Sequence, residues 1–501
     1  MSERERNVVS GANEDPEASG SPTQSRREFL GAAVIAAVGL GVGCGDGSVA
    51  GEDGGAARGD AARLDARTPG PEDAAASDAG AAPIDPPETV PESTDAFPLG
   101  VASGDATSTS AIFWARYAGA MPLELVVWEM DGETYARTAH VGSVEPSEGG
   151  YVHADVATLA PGARHRFAFF ELDGDARVAR SAIGRMRAAL AEGALETLLI
   201  GAVSCTANTR SLATLAHAGA RDDLDVFLYV GDTTYNDGSS SLDEYRAKWI
   251  QSVGRAEYRA LRGATSALAT WDDHEFDNDW NPETFDAASR TAAVRTFFEH
   301  QPVRRDAAAP DRVWKSVRWG RTAELFVLDC RSERRPSTRG TPEAEYVSRA
   351  QMDWLKSALE ASDAVFKIIV NSVPISDFPG AFDFAQNDRW EGYPAQRQEI
   401  LSFIDERALT GVLWVAGDFH LASAQRVATS GPGSAQTEVL VGPGAQTGNL
   451  LARFLTSAQF DFATGENNYT VLELDPATTR ARVWWHDGDG VVIETQEYDL
   501  G

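Results

Sequence analysis

Four short apolar runs in this chain each end in side chains of the kind that hold metal ions. LLIGAVSC closes on Cys205, and VFLYVGDTTY reaches Asp232 and Tyr235. ALATWDDHE reaches Asp273 and His274, and VLWVAGDFH reaches Asp418 and His420. Each run is rich in β-forming residues and is bounded by turn residues, which predicts a buried strand. In an open α/β sheet, ligands bind in the crevice beyond the carboxyl ends of the strands. Residues as far apart in sequence as Cys205 and His420 are therefore expected to converge on one metal centre.

The rest of the chain sorts into segments by composition. At roughly 100–200 residues per domain, 501 residues predict two or three folded units. Over 1–44 the chain reads as an export signal. Ser25-Arg26-Arg27-Glu28-Phe29-Leu30 forms a twin-arginine pattern. The apolar run that follows, Phe29 to Gly43, is about 15 residues, short of the ~20 needed to span a bilayer. Leu40-Gly41-Val42-Gly43-Cys44 is similar to a lipoprotein cleavage box with its leucine one position too far upstream. Lipidation of Cys44 and plain signal cleavage both stay open. The expected destination is the periplasm, the cell surface or the medium, through the twin-arginine export machinery and with a lipid anchor if Cys44 is modified. Residues 45–93 are Gly, Ala, Asp, Pro and Ser with few large apolar side chains, which predicts a disordered tether.

Over 94–188 the pattern is strand-like. SAIFWARY, LELVVWEM, YVHADVATL and HRFAFFEL are separated by turn segments, which predicts a small antiparallel β-sandwich. LAPGARHRFAFF is similar to a fibronectin type III strand corner. No cluster of ligands or nucleophiles falls here, so a packing or presentation role is expected.

From 195 to 501 strands and helices alternate, which predicts a layered α/β domain. Expected strands are Thr197–Val203, Val226–Val230, Ala267–Thr270, Ala323–Leu328, Phe366–Val373 and Val412–Ala416. One helix should start at Ser241, where Glu244 completes a capping box. Another should cover Ser348–Leu359, with Met352, Leu355 and Leu359 on one face. NYTVLELD and ARVWWHDGDGVVIETQEY read as closing hairpins.

Asp and Glu total 75 against 44 Lys and Arg, a net charge of -31. Such a surface offers no counterion-release term for nucleic acid, so no nucleic-acid patch is expected. An anionic substrate would need local cations, and metal ions supply them most directly. Of the three cysteines, Cys44, Cys205 and Cys330, the last two each follow a strand-like run. A disulfide between them is the plain alternative to a metal-bound thiolate at Cys205. The thiolate is preferred, because Cys205 shares its placement with the other ligands.

Each motif also has a merely structural reading. Asp232-x-x-Tyr235 could be a simple turn, or a carboxylate and a phenolate on one ion, a pairing suited to a hard trivalent cation. Trp271-Asp272-Asp273-His274-Glu275 could be a solvated acidic turn, but so many ionisable groups at a strand end demand partners. There Asp273 would bind metal and His274 would face the substrate as an acid or charge stabiliser. Asp277, Asn278 and Asp279 could supply oxygen to a second ion such as Ca2+. Asp418 and His420, two apart in extended chain, could serve two adjacent ions. Order and placement, shared by all four, outweigh the weakness of each alone.

With those motifs in order the chain resembles the PhoD-type alkaline phosphatases, a branch of the calcineurin-like metallophosphoesterases. The resemblance runs from FPLGVASGDATSTSAIFWAR through SC, VGDTTY, WDDHE and DRWEGYPAQRQEIL to AGDFHLASA. It implies a metallophosphoesterase sandwich of two β-sheets flanked by helices, following the fibronectin III-like domain. It implies Fe(III) with Ca2+ nearby, bridged by Asp232. Cys205, Tyr235 and His420 look like iron ligands, Asp273 and Asp418 like ligands of the calcium side, with Asn278 a further candidate. His274 stands where the wider superfamily has its catalytic histidine. Trp390, Tyr393 and Arg397 look like part of a W-x-G-Y segment near the site and are weak candidates for substrate contact. Where the superfamily has V-x-x-H, this chain has Val370-Asn371-Ser372-Val373, which argues against a two-histidine site. Asp329-Cys330-Arg331 stands in place of D-T-R, and Cys330 is expected to be an incidental buried thiol.

The expected function is hydrolysis of small phosphate esters outside the cytoplasm, by attack of a metal-activated water or oxo ligand. No covalent phospho-enzyme is required, because no Ser or Thr nucleophile stands in the motifs. The alternatives are a phosphodiesterase or phospholipase D-like hydrolase on the same scaffold, and a surface-binding lipoprotein that has lost its chemistry.

Overall fold

The computed structural model describes residues 86–501. The twin-arginine segment, Cys44 and the tether as far as residue 85 lie outside the described residues. The tether was expected to run to 93, but 86–93 is docked. Val90 is buried against Val126, Trp128 and Phe170, and Glu92 bridges to Arg180. Backbone bonds between Arg180 and Pro91 and Ser93, the Arg180 guanidinium on the Pro87 carbonyl and the Tyr135 hydroxyl on Glu88 complete the docking of a segment whose composition reads as linker.

The α/β part is two sheets packed face to face. The central strands of the first are Leu198–Val203, Val226–Val230 and Ser266–Thr270, in parallel register. Tyr469–Asp475 pairs with Leu198–Val203 in antiparallel register and carries Arg480–His486 and Val492–Asp499 outward as a meander. The second sheet runs Lys315–Trp319, Ala323–Val327, Phe366–Asn371, Val412–Ala416, Thr437–Leu440, Ala422–Arg426, Phe460–Thr464. The expected strands are therefore present, with ends moved by a residue or two.

Strand alternation sets which side chain goes where. In Val226–Val230, Leu228 and Val230 enter the core between the sheets, where they join Val327, Val370 and Val415. Phe227 and Tyr229 point outward and meet Leu215, Trp249, Leu261 and Phe297 from the covering helices Ala213–Ala220, Leu242–Val253, Ala256–Ala264 and Ala287–His300. On the far side Phe326, Ile369 and Trp414 meet Met352, Leu355 and Ile400 of Arg349–Ala361 and Pro394–Glu406. Fully burying each such aliphatic or aromatic side chain contributes about 1.5–3 kcal/mol. The predicted capping box is present, with Ser241 accepting from the Glu244 N–H. Ser348 caps its helix in the same way through Gln351.

The amino-terminal strands do form two packed antiparallel layers. Phe113 and Phe167 meet edge to face at 4.7 Å in the core between them. They are not a separate unit, however. Val101–Gly104, Ala111–Arg116 and Tyr151–Val156 extend the first sheet, because Gly104 pairs with Ala267 in parallel register. Only glycine permits this approach, since a Cβ at 104 would lie 2.3 Å from the Pro302 carbonyl oxygen. The amino-terminal layers and the α/β part thus share one sheet. Cys205 and Cys330 are both free and buried, so the disulfide alternative also falls.

Candidate metal centre

The four predicted strand ends do converge. Leu198–Val203, Val226–Val230 and Ser266–Thr270 lie side by side and parallel, so their following turns emerge together. Val412–Ala416 delivers Asp418 and His420 from the second sheet. Each turn reverses sharply. Cys205, Asp232, Asp418 and His420 have φ of 55°, 55°, 69° and 51°, the left-handed region that non-glycine residues rarely adopt. Such strain costs about 1–3 kcal/mol per residue and persists only where the surroundings enforce it. Here the enforcement is by hydrogen bonds. Glu275 accepts from the backbone N–H groups of Asp232, Thr233 and Asp272 at 3.0, 2.6 and 2.8 Å. The N–H of Asn449 donates to the His420 carbonyl at 2.7 Å.

Ligand atoms fall into four overlapping groups, each within 4.8 Å. They are Cys205-Asp232-His420, Asp232-Asp273-His274, Asp272-Asp273-Asp418 and Asp273-Asp279-Asp388. Asp232 and Asp273 are shared, so the groups form one continuous array. The Tyr235 hydroxyl lies 3.5 Å from Asp232 Oδ2, and its ring sits 4.2 Å from that of His274. One end of the array thus offers a thiol, an imidazole, a phenol and a carboxylate. The other offers carboxylates alone. The first set suits a transition metal and the second a hard cation such as Ca2+.

The electrostatics fit that donor set. Burial, reinforced by Asp273 and Asp272, pushes the Asp232 carboxyl well up, although His274 opposes the rise. Burial and Asp272 push Asp418 up in the same way, against the pull of Arg331. Burial beside Asp232 raises the Cys205 thiol. These groups favour their protonated forms unless a cation neutralises them. Burial and the nearby His274 lower His420 to about 4, which leaves its imidazole neutral with a lone pair to offer. His274 behaves oppositely. Burial works against its charge, but Asp232, Asp273 and Asp237 push it up to about 11. Its Nδ1 meets Asp237 Oδ1 at 2.7 Å, which leaves Nε2 free.

Asn278 is exposed, and its side-chain amide donates to Asp279 at 2.8 Å. Of Asp277 and Asp279, it is Asp279 that clusters with Asp273. Trp390, Tyr393 and Arg397 are corrected from substrate contact to packing. Trp390 is enclosed and donates to Asn371, and Tyr393 is buried beside Tyr346. Arg397 donates to the carbonyls of Ile375 and Val427. Cys330 is the incidental thiol expected, donating to Asn371. Ser372 donates to Asp272 at 2.9 Å.

Sequence reasoning missed Arg331, the cation on which the array leans. It donates to Asp272, Asp388 and Asp418 and is itself fully buried. Arg334 also pairs with Asp388. Burial opposes the charge of Asp388, yet the two guanidinium groups hold its carboxyl down at about 2. A signal was present: Arg331 lies just past the strand Ala323–Val327, the same placement as the ligands.

Two sheets in face-to-face contact, helices on both outer faces and an acidic array at the strand ends define an α/β metallophosphoesterase-like fold. A solved structure of PhoD superposes with a TM-score of 0.70 at 21% identity, covering 81% of this chain and 91% of that one. The yellow lupin purple acid phosphatase PPD1 superposes at 0.58 with 14% identity, over 79% and 73% of the two chains. At the sequence level, the model of the PhoD-like phosphatase family matches residues 200–459, and that of its N-terminal domain matches 82–190. The chain belongs to the PhoD-like phosphatase family. Alkaline phosphatase D of Bacillus subtilis (strain 168) is 26% identical over 389 residues, 66% of this chain. That match spans 65% of the relative's own length.

Proposed function

We propose that this chain hydrolyses small phosphate esters at the array running from Cys205 to Asp388. The observation that carries the reading is the sharing of Asp232 and Asp273 among ligand groups of two different chemistries. Cys205, Asp232, Tyr235 and His420 would hold an iron ion. Asp273, Asp418 and the shared Asp232 would hold calcium, with Asp279 a further oxygen donor. The donor set fits both, since thiol, phenol and imidazole gather at one end and carboxylates at the other. When bound, such cations supply charge neutralisation at the phosphoryl oxygens and activation of water.

The protein's own groups do the rest. His274 side chain is mostly buried, at 14% exposure, and Asp237 fixes its Nδ1. Nε2 is left to donate a proton to the departing ester oxygen. Arg331 holds Asp272, Asp388 and Asp418 in place without touching the substrate. Glu275 fixes the turns that carry Asp232 and Asp272. No serine or threonine nucleophile enters this scheme.

The test is turnover of p-nitrophenyl phosphate beside bis-p-nitrophenyl phosphate, before and after EDTA. The expected result is activity that chelation abolishes and added metal restores. His274→Ala should lower kcat roughly 10²- to 10⁴-fold. Undiminished turnover by metal-depleted protein would count against the reading. The ratio of the two substrates separates a monoesterase from a phosphodiesterase.

Two finer parts of the reading rest on sequence. The corner at LAPGARHRFAFF supports a fibronectin III-like character for the amino-terminal layers. The twin-arginine pattern at Ser25–Leu30 supports export, which fractionation of cells expressing the Arg26→Lys/Arg27→Lys form would check.

A further inference from the structure

Among the described residues eight large apolar side chains are strongly exposed, and both phenylalanines in that set lie on segments that border the metal centre. Phe384 is 77% exposed, Leu450 72% and Phe454 55%. Phe384 belongs to the turn Gly380–Asp388, which ends on the array's own Asp388. Leu450 and Phe454 belong to Leu450–Phe454, directly after Asn449. Asn449 donates its N–H to the His420 carbonyl at 2.7 Å and its amide to the Phe419 carbonyl at 3.1 Å.

The undersides of these two segments are packed together. Phe382 stacks on Phe419 at 5.7 Å, and Phe378, Ala452 and Leu455 complete the same apolar cluster. The Arg389 guanidinium covers Phe419 at 4.7 Å. Thus Phe419, between the ligand positions Asp418 and His420, packs beneath two segments that carry the exposed Phe384, Leu450 and Phe454, the last with the Arg453 guanidinium over its ring at 4.8 Å. Single exposed apolar residues need no explanation, but three on two adjoining segments at a site do.

The site also dictates where an ester must project. Cys205, Asp232 and Asp273 are enclosed, His274, Asp418 and His420 are partly open, and Asp279 is exposed at the far end. A phosphoryl group held between His274 and His420 would direct its ester substituent past those partly open residues. The segment after Asn449 borders it through His420.

We infer that Phe384, Leu450 and Phe454 form a rim that receives an apolar alcohol portion of the substrate, making alkyl or aryl phosphate esters the preferred class. This rests on the phosphate-ester reading above. A net charge of -31 works against the rim serving instead to dock on an anionic membrane.

The test compares kcat/KM for octyl phosphate, below its aggregation concentration, with ethyl phosphate, which carries the same charge. The wild type should favour the octyl ester by roughly tenfold or more, the scale on which apolar contacts discriminate. Phe384→Ser/Leu450→Ser/Phe454→Ser should bring the ratio to within about twofold of one. Leu450→Ser alone should reduce it by about threefold, and guards against a folding defect in the triple variant. Val141→Ser, an exposed position on the strand Thr134–Val144, should keep the wild-type ratio. A wild-type ratio near one, or a folded triple variant that keeps the wild-type preference, overturns the rim while leaving phosphate-ester hydrolysis standing. Sedimentation of the wild type with phosphatidylcholine vesicles, together with a ratio near one, would reassign the patch to a lipid surface. Turnover of bis-p-nitrophenyl phosphate with none of the monoesters hydrolysed would overturn the rim alone, and failure on the diester as well would overturn the activity with it.

Discussion

Arg331 meets Asp272 through two hydrogen bonds, Nε to Oδ1 at 2.6 Å and Nη2 to Oδ2 at 3.0 Å, with both side chains shut away from solvent. The same guanidinium reaches Asp388 and Asp418. Removing one partner of a buried ion pair leaves an uncompensated charge, which costs about 3–5 kcal/mol. Arg331→Ala should therefore lower the unfolding free energy of the metal-stripped protein by about that amount. Denaturant titration checks this, and a loss under about 1 kcal/mol would contradict it.

Gly231 should tolerate no side chain. Its φ is +82°, and a Cβ there would lie 2.4 Å from the Asp272 Cβ. Gly231→Ala forces either the Asp232 turn or Asp272 to move. The strain alone is about 1–3 kcal/mol, before any displacement of the ligands. The expected outcome is a lower melting temperature and reduced metal retention in the same variant, read by calorimetry and elemental analysis. Wild-type values of both would show that the turn is not the constraint described.

The pH dependence of the metal-stripped protein should be inverted relative to that of most carboxylate networks. Burial raises Glu275 to about 7 and Asp279 to about 6, and pushes Asp232 and Asp418 upward. A group whose folded pKa is raised binds more protons in the folded state, so its contribution is present at low pH and lost as pH climbs through the folded value. His274, raised to about 11, has the same sign. Burial has the opposite effect on three imidazoles, lowering His165 and His420 to about 4 and His300 to about 3, so their contributions grow as pH rises toward the ordinary imidazole value. The net fall in stability should therefore come above about pH 6.5, where Glu275 and His274 still titrate. Added cation should offset the loss, more at about pH 8 than at about pH 6.5. Melting curves at both pH values, with and without metal, check this; a stripped protein more stable at about pH 8 would contradict it.

Much of the site was legible because strand ends are legible. An apolar run followed by Gly-Asp or Ser-Cys marks both the strand and the turn beyond it, and parallel neighbours carry their turns to one place. Cys205, Asp232, Asp273, Asp418 and His420 were found that way. Arg331 was not, although it follows a strand, because the pattern sought ligands and a counter-cation is not one. Asp388 stands at the end of a 3-10 turn, where no periodicity marks it. Trp390 and Tyr393 sit beside a site residue in sequence, yet helix and turn geometry sends them into the core. The joining of the amino-terminal layers to the catalytic sheet hangs on Gly104 and Ala267, a pairing across the chain that local alternation cannot reveal.

The most direct test of the central claim is metal content per chain, measured by plasma mass spectrometry on purified wild type and Asp232→Asn. Asp232 belongs to the Cys205-His420 group and to the Asp273-His274 group, so its loss should empty the end that carries the thiol. The account predicts bound transition metal and calcium in the wild type and a folded variant without the transition metal. A folded Asp232→Asn protein that retains the wild-type complement would contradict it.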